Sequence, residues 1–288
     1  MNTTSPKFDP AKFKESTREQ WQTAAQAWQR WGTVLNNWLG PSTELMLDMA
    51  NIGEGDHVLD VAAGTGQQTL SAARRTGAKG SVLATDISKN ILEFAAETAK
   101  NEGLSNIETR VLDGENTSDL PENSFNAAIS RVGLIYFPDK NKALTGIHQA
   151  LKPGGRISAI TYSTPEKNEF FSIPVSIIRR RAKLPPPLPG QPGPFSLGSP
   201  GIIEAEFEKA GFKNVAVRVQ PAPLNLSSAA ECVRFEQESF GALHQMLSGL
   251  SEQECKETWQ EIEETLKKFE NSGQFIGPCE LVIASGQK

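Results

Sequence analysis

Three carboxylates and a pair of glycines stand where they could together hold a nucleoside. Asp60 lies inside the apolar run Val58-Leu-Asp-Val61, four residues before Gly64-Thr65-Gly66. Asp86 closes the run Ser81-Val-Leu-Ala-Thr-Asp86, about 20 residues past the glycines, the spacing at which a carboxylate meets ribose hydroxyls. Asp113 opens Asp113-Gly114-Glu115 after a third run, Asn106 to Leu112. Glycines let backbone approach a ligand closely, and a helix start offers unpaired N–H groups. The third glycine of a dinucleotide fingerprint is missing, because position 69 is Thr. A pyrophosphate is disfavoured beside a carboxylate, so Asp60 points to a ligand that carries positive charge.

The elements that must position these residues follow from the hydrophobic pattern. Val58, Leu59 and Val61 suit a buried parallel strand near 57–62, and an amphipathic helix with Leu70 and Ala73 follows near 66–76. From Gly53 onward strands and helices alternate. Strands are expected at 81–86, 106–112, 126–130 and 156–162; Ser88 caps a helix that Gly103 stops, and another helix carries Leu144, Ile147, His148 and Leu151. Parallel strands put Asp60, Asp86 and Asp113 on one rim of the sheet, where ligands bind in such folds. Val215, Val217 and Val219 alternate as a further strand, and Glu280 to Ala284 make the last.

Three motifs in this order resemble those of class I S-adenosylmethionine-dependent methyltransferases, and most closely the branch that contains ubiquinone/menaquinone-biosynthesis methyltransferases. They are Asp60-Val-Ala-Ala-Gly-Thr-Gly66, Leu120-Pro-Glu-Asn-Ser-Phe-Asn126 and Leu151-Lys-Pro-Gly-Gly155. Ala62 and Ala63 depart from the usual Gly-Cys, and Asn126 from the usual Asp; Ala62 is tolerated there only with negative φ. The resemblance implies an α/β fold: a seven-stranded, mostly parallel, doubly wound sheet with an antiparallel last strand, helices on both faces and helical cap segments. It implies S-adenosyl-L-methionine as cofactor, held by Asp60, Ala62, Gly64, Thr65, Gly66, Asp86, Ile87, Asp113, Gly114, Glu115 and Arg131. It divides the chain into an N-terminal helical arm or lid (1–50), a Rossmann-like core (51–163), a Pro-rich lid insertion (164–199), a core continuation (200–222), a helical cap (223–278) and a last core strand (279–288).

Outside the core the reading is coarser. Residues 1–10 are expected to lack order. Ala11 to Ala50 is helical, with Trp21, Trp28 and Trp31 at helical spacing; Gly40-Pro41 breaks it, and Ser42 caps a second helix. Residues 163–200 read as an irregular insertion with the basic run Arg179-Arg-Arg-Ala-Lys183, taken as a solvated face in preference to a binding site. Helical patterns recur around 228–247 and 251–270. Substrate-pocket candidates are Trp28, Trp31, Tyr136, Tyr162 and Phe171. Methyl transfer from a sulfonium needs no acid, and the sequence offers no clear base; Tyr136 and His244 are the two weak candidates for a catalytic role. His57 and His148 read as structural.

Composition bounds the partners. Net charge is −5, from 29 basic and 34 acidic residues, so nothing supports a nucleic-acid partner. Cys232, Cys255 and Cys279 lack metal spacing, and no metal is expected. No apolar run reaches the roughly 20 residues of a membrane span, and Met1 to Pro10 lacks a signal-peptide core. The expectation is a cytoplasmic monomer or homodimer acting on a small-molecule methyl acceptor. Two other readings stand beside it: an NAD(P)-dependent oxidoreductase, and a non-catalytic methyltransferase-like binding protein.

Overall fold

The computed structural model describes residues 8–188 and 191–288. In chain order it contains α1 (Pro10–Arg30), α2 (Gly32–Met49), β1 (His57–Val61), α3 (Gln67–Thr76), β2 (Ser81–Asp86), α4 (Lys89–Asn101), β3 (Ile107–Val111), β4 (Phe125–Arg131), α5 (Lys140–Ala150) and β5 (Leu151–Tyr162). There follow α6 (Glu169–Arg181), α7 (Ile202–Lys209), β6 (Lys213–Pro221), β7 (Leu224–Leu226), α8 (Ala229–Ser239), α9 (Gly241–Leu247), α10 (Glu252–Leu266), β8 (Glu270–Asn271), β9 (Gln274–Gly277) and β10 (Glu280–Gln287).

Seven strands form one sheet in the order β3-β2-β1-β4-β5-β10-β6. The first five are parallel, and β10 inserts antiparallel between β5 and β6. This is the expected α/β sheet with its antiparallel last strand. Helices cover both faces. Tyr162 on β5 meets Trp38 of α2 on one face, while Gly286, opposite Ile157 in the register, packs against Phe207 of α7 on the other. Asn126, standing where Asp is usual, holds the sheet's lower edge: its side-chain oxygen accepts from the His57 N–H (3.0 Å) and from Lys152 Nζ (2.9 Å).

Several expectations are corrected. The arm does not break at Gly40-Pro41; it breaks at Trp31, and α2 runs through Pro41. Leu35, Trp38, Leu39, Met46 and Leu47 of α2 are all buried. At about 1.5–3 kcal/mol per buried large side chain, their packing outweighs the roughly 3 kcal/mol of an internal proline. Ser42 is therefore inside a helix and caps nothing. Residues 163–200 are not irregular throughout, since 169–181 is helix α6. The basic run pairs with α10: Arg180 and Arg181 bind Glu261, and Arg181 lies 3.6 Å from Glu257. Within the helical cap, a small antiparallel sheet β7-β9-β8 was not anticipated. Of the segment 1–10, residues 1–7 lie outside the described residues, and Pro10 already opens α1, capped by Asp9.

One apolar core joins the arm, the sheet and the cap. Trp31, Leu35 and Trp38 share it with Ile129, Ile160, Phe170, Phe235 and Phe275. No helix among the described residues is long and apolar enough to cross a membrane.

Candidate active site

At the sheet's C-terminal rim, α1 and Phe240, which follows α8, contribute to the wall of a cavity that is the candidate site. At its floor, β1 ends in a tight turn: Ala62 (φ 60°), Gly64 (φ 58°) and Gly66 (φ 87°) are all left-handed, and Gly66 opens α3. The condition on Ala62 therefore fails, because this alanine does adopt positive φ. Gly66 is held by two requirements at once, since a Cβ there would also come within 2.8 Å of Ala95 on α4. Gly133 is needed for a related reason: a Cβ would lie 2.5 Å from Ala62.

The three rim acids sit in three different environments. Asp60 is fully buried behind the turn. It accepts from Thr69 Oγ1 (2.6 Å) and Gln68 Nε2 (3.4 Å), so the threonine at the third-glycine position is this carboxylate's partner. Burial pushes its pKa up to about 7, against those hydrogen bonds and the charge of Arg131. Asp86 clamps the turn: Oδ2 accepts from the Gly64 N–H (3.0 Å) and Oδ1 from the Ser88 N–H (2.9 Å). Burial again dominates and raises it to about 6. Asp113 is half-exposed; Oδ1 accepts from the Glu115 N–H (3.0 Å) and Oδ2 from Lys14 Nζ (2.8 Å).

Lys14 also reaches Glu115 Oε2 at 2.6 Å, and Glu115 accepts from the Asp139 N–H through its other oxygen (2.8 Å). Burial pulls the Lys14 pKa down, but its bonds to Asp113 and Glu115 more than offset this and raise it. Arg131, at the end of β4, is partly buried, and desolvation lowers its pKa to about 10. It donates to Thr43 Oγ1 and Gln67 Oε1, both at 3.1 Å. Val132 next to it has φ 60°, an uncommon conformation for a β-branched residue and a sign of strain at the rim.

The cavity is lined by Ala62, Gly64, Thr65, Asp86, Ile87, Asp113, Gly114, Glu115 and Arg131, together with Lys14, Thr17, Trp21, Trp28, Gln67, Tyr136, Phe137, Tyr162 and Phe240. Of the cofactor candidates, Asp60 and Gly66 stand just behind this lining. Trp28, Tyr136 and Tyr162 are on the wall, and Trp21 packs edge-on to both Trp28 (5.1 Å) and Tyr136 (5.5 Å). Trp31 and Phe171 are not on it. Trp31 donates to Glu238 (2.8 Å) and packs on Phe235; Phe171 lies behind Phe240 at 4.8 Å. His244 is exposed on α9, bonded to the Gln237 carbonyl (2.7 Å), and His148 packs edge-on to Phe212. His57 pairs with Ser81 Oγ at 2.8 Å.

Sequence reasoning missed Lys14, Thr17 and Phe240. Lys14, Thr17, Trp21 and Trp28 recur at helical spacing along one side of α1, a signal that was present but masked by the tryptophans. Phe240 carried no signal, since nothing local says that the residue after α8 reaches the rim. No group of three potential metal ligands occurs among the described residues.

A family model described as "Methyltransferase domain" matches residues 52–182. The ubiquinone/menaquinone biosynthesis C-methyltransferase of Pseudoalteromonas translucida is 36% identical over 118 residues, covering 41% of this chain and 47% of that one. The chain thus spans about half the length of the curated relatives it matches. Among solved structures, phosphoethanolamine N-methyltransferase 2 of Haemonchus contortus, in complex with S-adenosylhomocysteine, superposes with TM-score 0.60 at 18% identity, over 96% of this chain and 60% of that one. The YcgJ protein of Bacillus subtilis gives 0.56 at 20% identity, over 86% and 98%. At these identities the structural likeness speaks for the fold.

Proposed function

We propose that this chain, whose residues 52–182 match a methyltransferase-domain model, is a class I S-adenosylmethionine-dependent methyltransferase that transfers a methyl group to a small-molecule acceptor. The observation that carries this reading is one cavity whose lining brings the glycine turn, Asp86 and Asp113 together with Trp21, Trp28 and Tyr136. That mixture suits a polar nucleoside donor beside an apolar acceptor.

The residues present fit such a donor. Asp86 would accept from the ribose hydroxyls while it keeps the turn in shape. Asp113, with Ile87, Gly114 and Glu115 around it, would accept from the adenine amine. Asp60 and Arg131 would face the ammonium and carboxylate of the methionine end, with Ala62, Thr65 and Gly66 setting the backbone. Once bound, S-adenosylmethionine supplies a methyl group on a sulfonium, a leaving group already positively charged.

The chain's own work is then alignment and exclusion of water. Holding two reactants in line about 3 Å apart can supply about 7–11 kcal/mol of a barrier. The arm and the cap serve this role as a cover, with Trp21 and Trp28 of α1 and Phe240 after α8 forming its inner surface. Tyr136 is partly buried on the cavity wall, and burial raises its pKa above the usual phenol value, which suits it to donate a hydrogen bond and not to act as a base. A cytoplasmic monomer or homodimer belongs to the same reading.

Titration calorimetry with S-adenosylhomocysteine, with NAD as control ligand, tests it. Micromolar binding of the first and none of the second is expected. The opposite pattern would make the glycine turn and Asp86 an oxidoreductase's dinucleotide site. Binding without turnover of labelled S-adenosylmethionine across hydroxylated, aminated and quinol acceptors would favour a non-catalytic binding protein.

A further inference from the structure

Six of the described residues that line the cavity are aromatic: Trp21, Trp28, Tyr136, Phe137, Tyr162 and Phe240. Four of these rings follow one another in contact. Tyr136 meets Trp21 edge-on with centroids 5.5 Å apart, Trp21 meets Trp28 at 5.1 Å, and Trp28 meets Phe240 at 6.2 Å. The run is drawn from α1, from the helical turn Leu134–Tyr136 after β4 and from the residue after α8. Trp28 is fixed by its indole N–H, which donates to the Ser239 carbonyl (2.9 Å). Trp21 makes no hydrogen bond among the described residues, so packing alone places its ring.

The polar part of the lining is poorly suited to take up a proton. It includes no histidine or cysteine among the described residues. Its three carboxylates are engaged at every oxygen. Asp86 accepts from the Gly64 and Ser88 N–H groups, Asp113 from the Glu115 N–H and Lys14, and Glu115 from the Asp139 N–H and Lys14. Burial raises the pKa of Tyr136 and Tyr162, so both hydroxyls stay protonated near pH 7. An acceptor that must shed a proton on methylation finds no free base on this wall. An acceptor that attacks through a lone pair, with no proton to shed, needs none.

We infer that the acceptor is a tertiary amine and that its quaternary ammonium product is held against the aromatic wall. The nitrogen lone pair forms the new bond to the methyl carbon while the carbon–sulfur bond breaks and its electrons stay on sulfur. The positive charge passes from sulfur to nitrogen, S-adenosylhomocysteine is left, and no proton is released. Aromatic rings attract such a cation most where water is excluded, and a quaternary nitrogen has no N–H that the wall would have to satisfy. The charges of the lining agree: the cations Lys14 and Arg131 are outnumbered by Asp86, Asp113 and Glu115. The inference rests on the methyltransferase reading above and deepens it by naming the chemistry of the acceptor.

The test uses choline as probe and 3,3-dimethylbutanol as its counterpart with carbon in place of the charged nitrogen. Each is titrated, at one ionic strength, into the full chain saturated with S-adenosylhomocysteine. The wild type should prefer choline roughly tenfold or more. Trp21→Leu should lose that preference, whereas Trp21→Phe, which keeps a ring, should stay within about threefold of wild type. The uncharged alcohol should bind all three alike. No preference in the wild type overturns the inference, and so does a preference that survives in Trp21→Leu, since the carboxylates and not the rings would then be its source. If Trp21→Leu does not fold, Phe240→Leu decides in the same way. S-adenosylhomocysteine affinity, read beforehand in the wild type, separates the two levels: its absence sinks the methyltransferase reading, and its presence without preference for choline sinks only this one.

Discussion

Asp60 and Ala62, two residues apart, carry the sharpest consequences at the scale of single residues. Because Asp60 is held near 7 and Asp86 near 6 by burial, both are partly protonated in mildly acid solution. A ligand that needs them ionised is penalised by the protonated fraction. S-adenosylhomocysteine should therefore bind about tenfold more weakly at pH 6 than at pH 8, and Asp60→Asn should flatten that dependence; a steep slope in the variant would remove Asp60 from the linkage. The same shift sets the sign of the stability profile without ligand. A carboxyl whose folded pKa is raised stabilises the fold fully below its unfolded pKa near 4, and this is lost as pH rises toward 7. Urea midpoints should thus fall from pH 4 to pH 7 more steeply in wild type than in Asp60→Asn. Ala62, with φ 60°, pays for a conformation that glycine adopts freely. Ala62→Gly should gain about 1 kcal/mol, seen as a higher urea midpoint at unchanged slope.

At the scale of elements, the glycine turn and α1 decide how the site is built. Gly64 and Gly66 both have positive φ, yet their surroundings differ: a Cβ at Gly64 meets nothing closer than Ile91 at 4.0 Å, and one at Gly66 meets Ala95 at 2.8 Å. Gly66→Ala should cost about 2 kcal/mol or more, from backbone strain plus overpacking between α3 and α4. Gly64→Ala should cost less in chemical denaturation, since strain alone opposes it. Helix α1 is tied at its first turns by Lys14, whose pairs with Asp113 and Glu115 span the sequence from residue 14 to the end of β3. Lys14 and Asp113 are partly exposed while Glu115 is buried, so loss of Lys14 should cost about 1–3 kcal/mol globally. Hydrogen exchange should respond more: Lys14→Ala should speed exchange over residues 10–20 and leave β1 and β4 unchanged. Uniform acceleration would mean that α1 is part of the global unfolding unit.

At the scale of the molecule, the cap and the sheet share one core. Phe170 of α6 is fully buried, 5.3 Å from Trp38 of α2 and 6.2 Å from Tyr162 of β5. Phe170→Ala should cost about 3–5 kcal/mol. Tryptophan fluorescence, which reports the arm through Trp21, Trp28, Trp31 and Trp38 and the cap through Trp259, and far-ultraviolet circular dichroism, which reports the whole, should shift together. Two separated transitions would show that the cap unfolds on its own.

The alternation of strands and helices from Gly53 to Tyr162, the glycine turn and the rim acids were legible in the sequence because each rests on local periodicity or on spacing within one βα unit. The methyltransferase-domain match, residues 52–182, takes in this segment. Neighbours distant in the chain were not legible. Pro41 reads as a helix breaker until the burial of α2 outweighs it, and α6 reads as loop until the core claims Phe170. Thr69 reads as a missing glycine until it is found bonded to Asp60. Lys14 with Asp113, separated by 99 residues, is a meeting that only folding makes. Local backbone preference and repeat are written along the chain, whereas which groups meet depends on every segment that packs around them. The tertiary structure alone decided that.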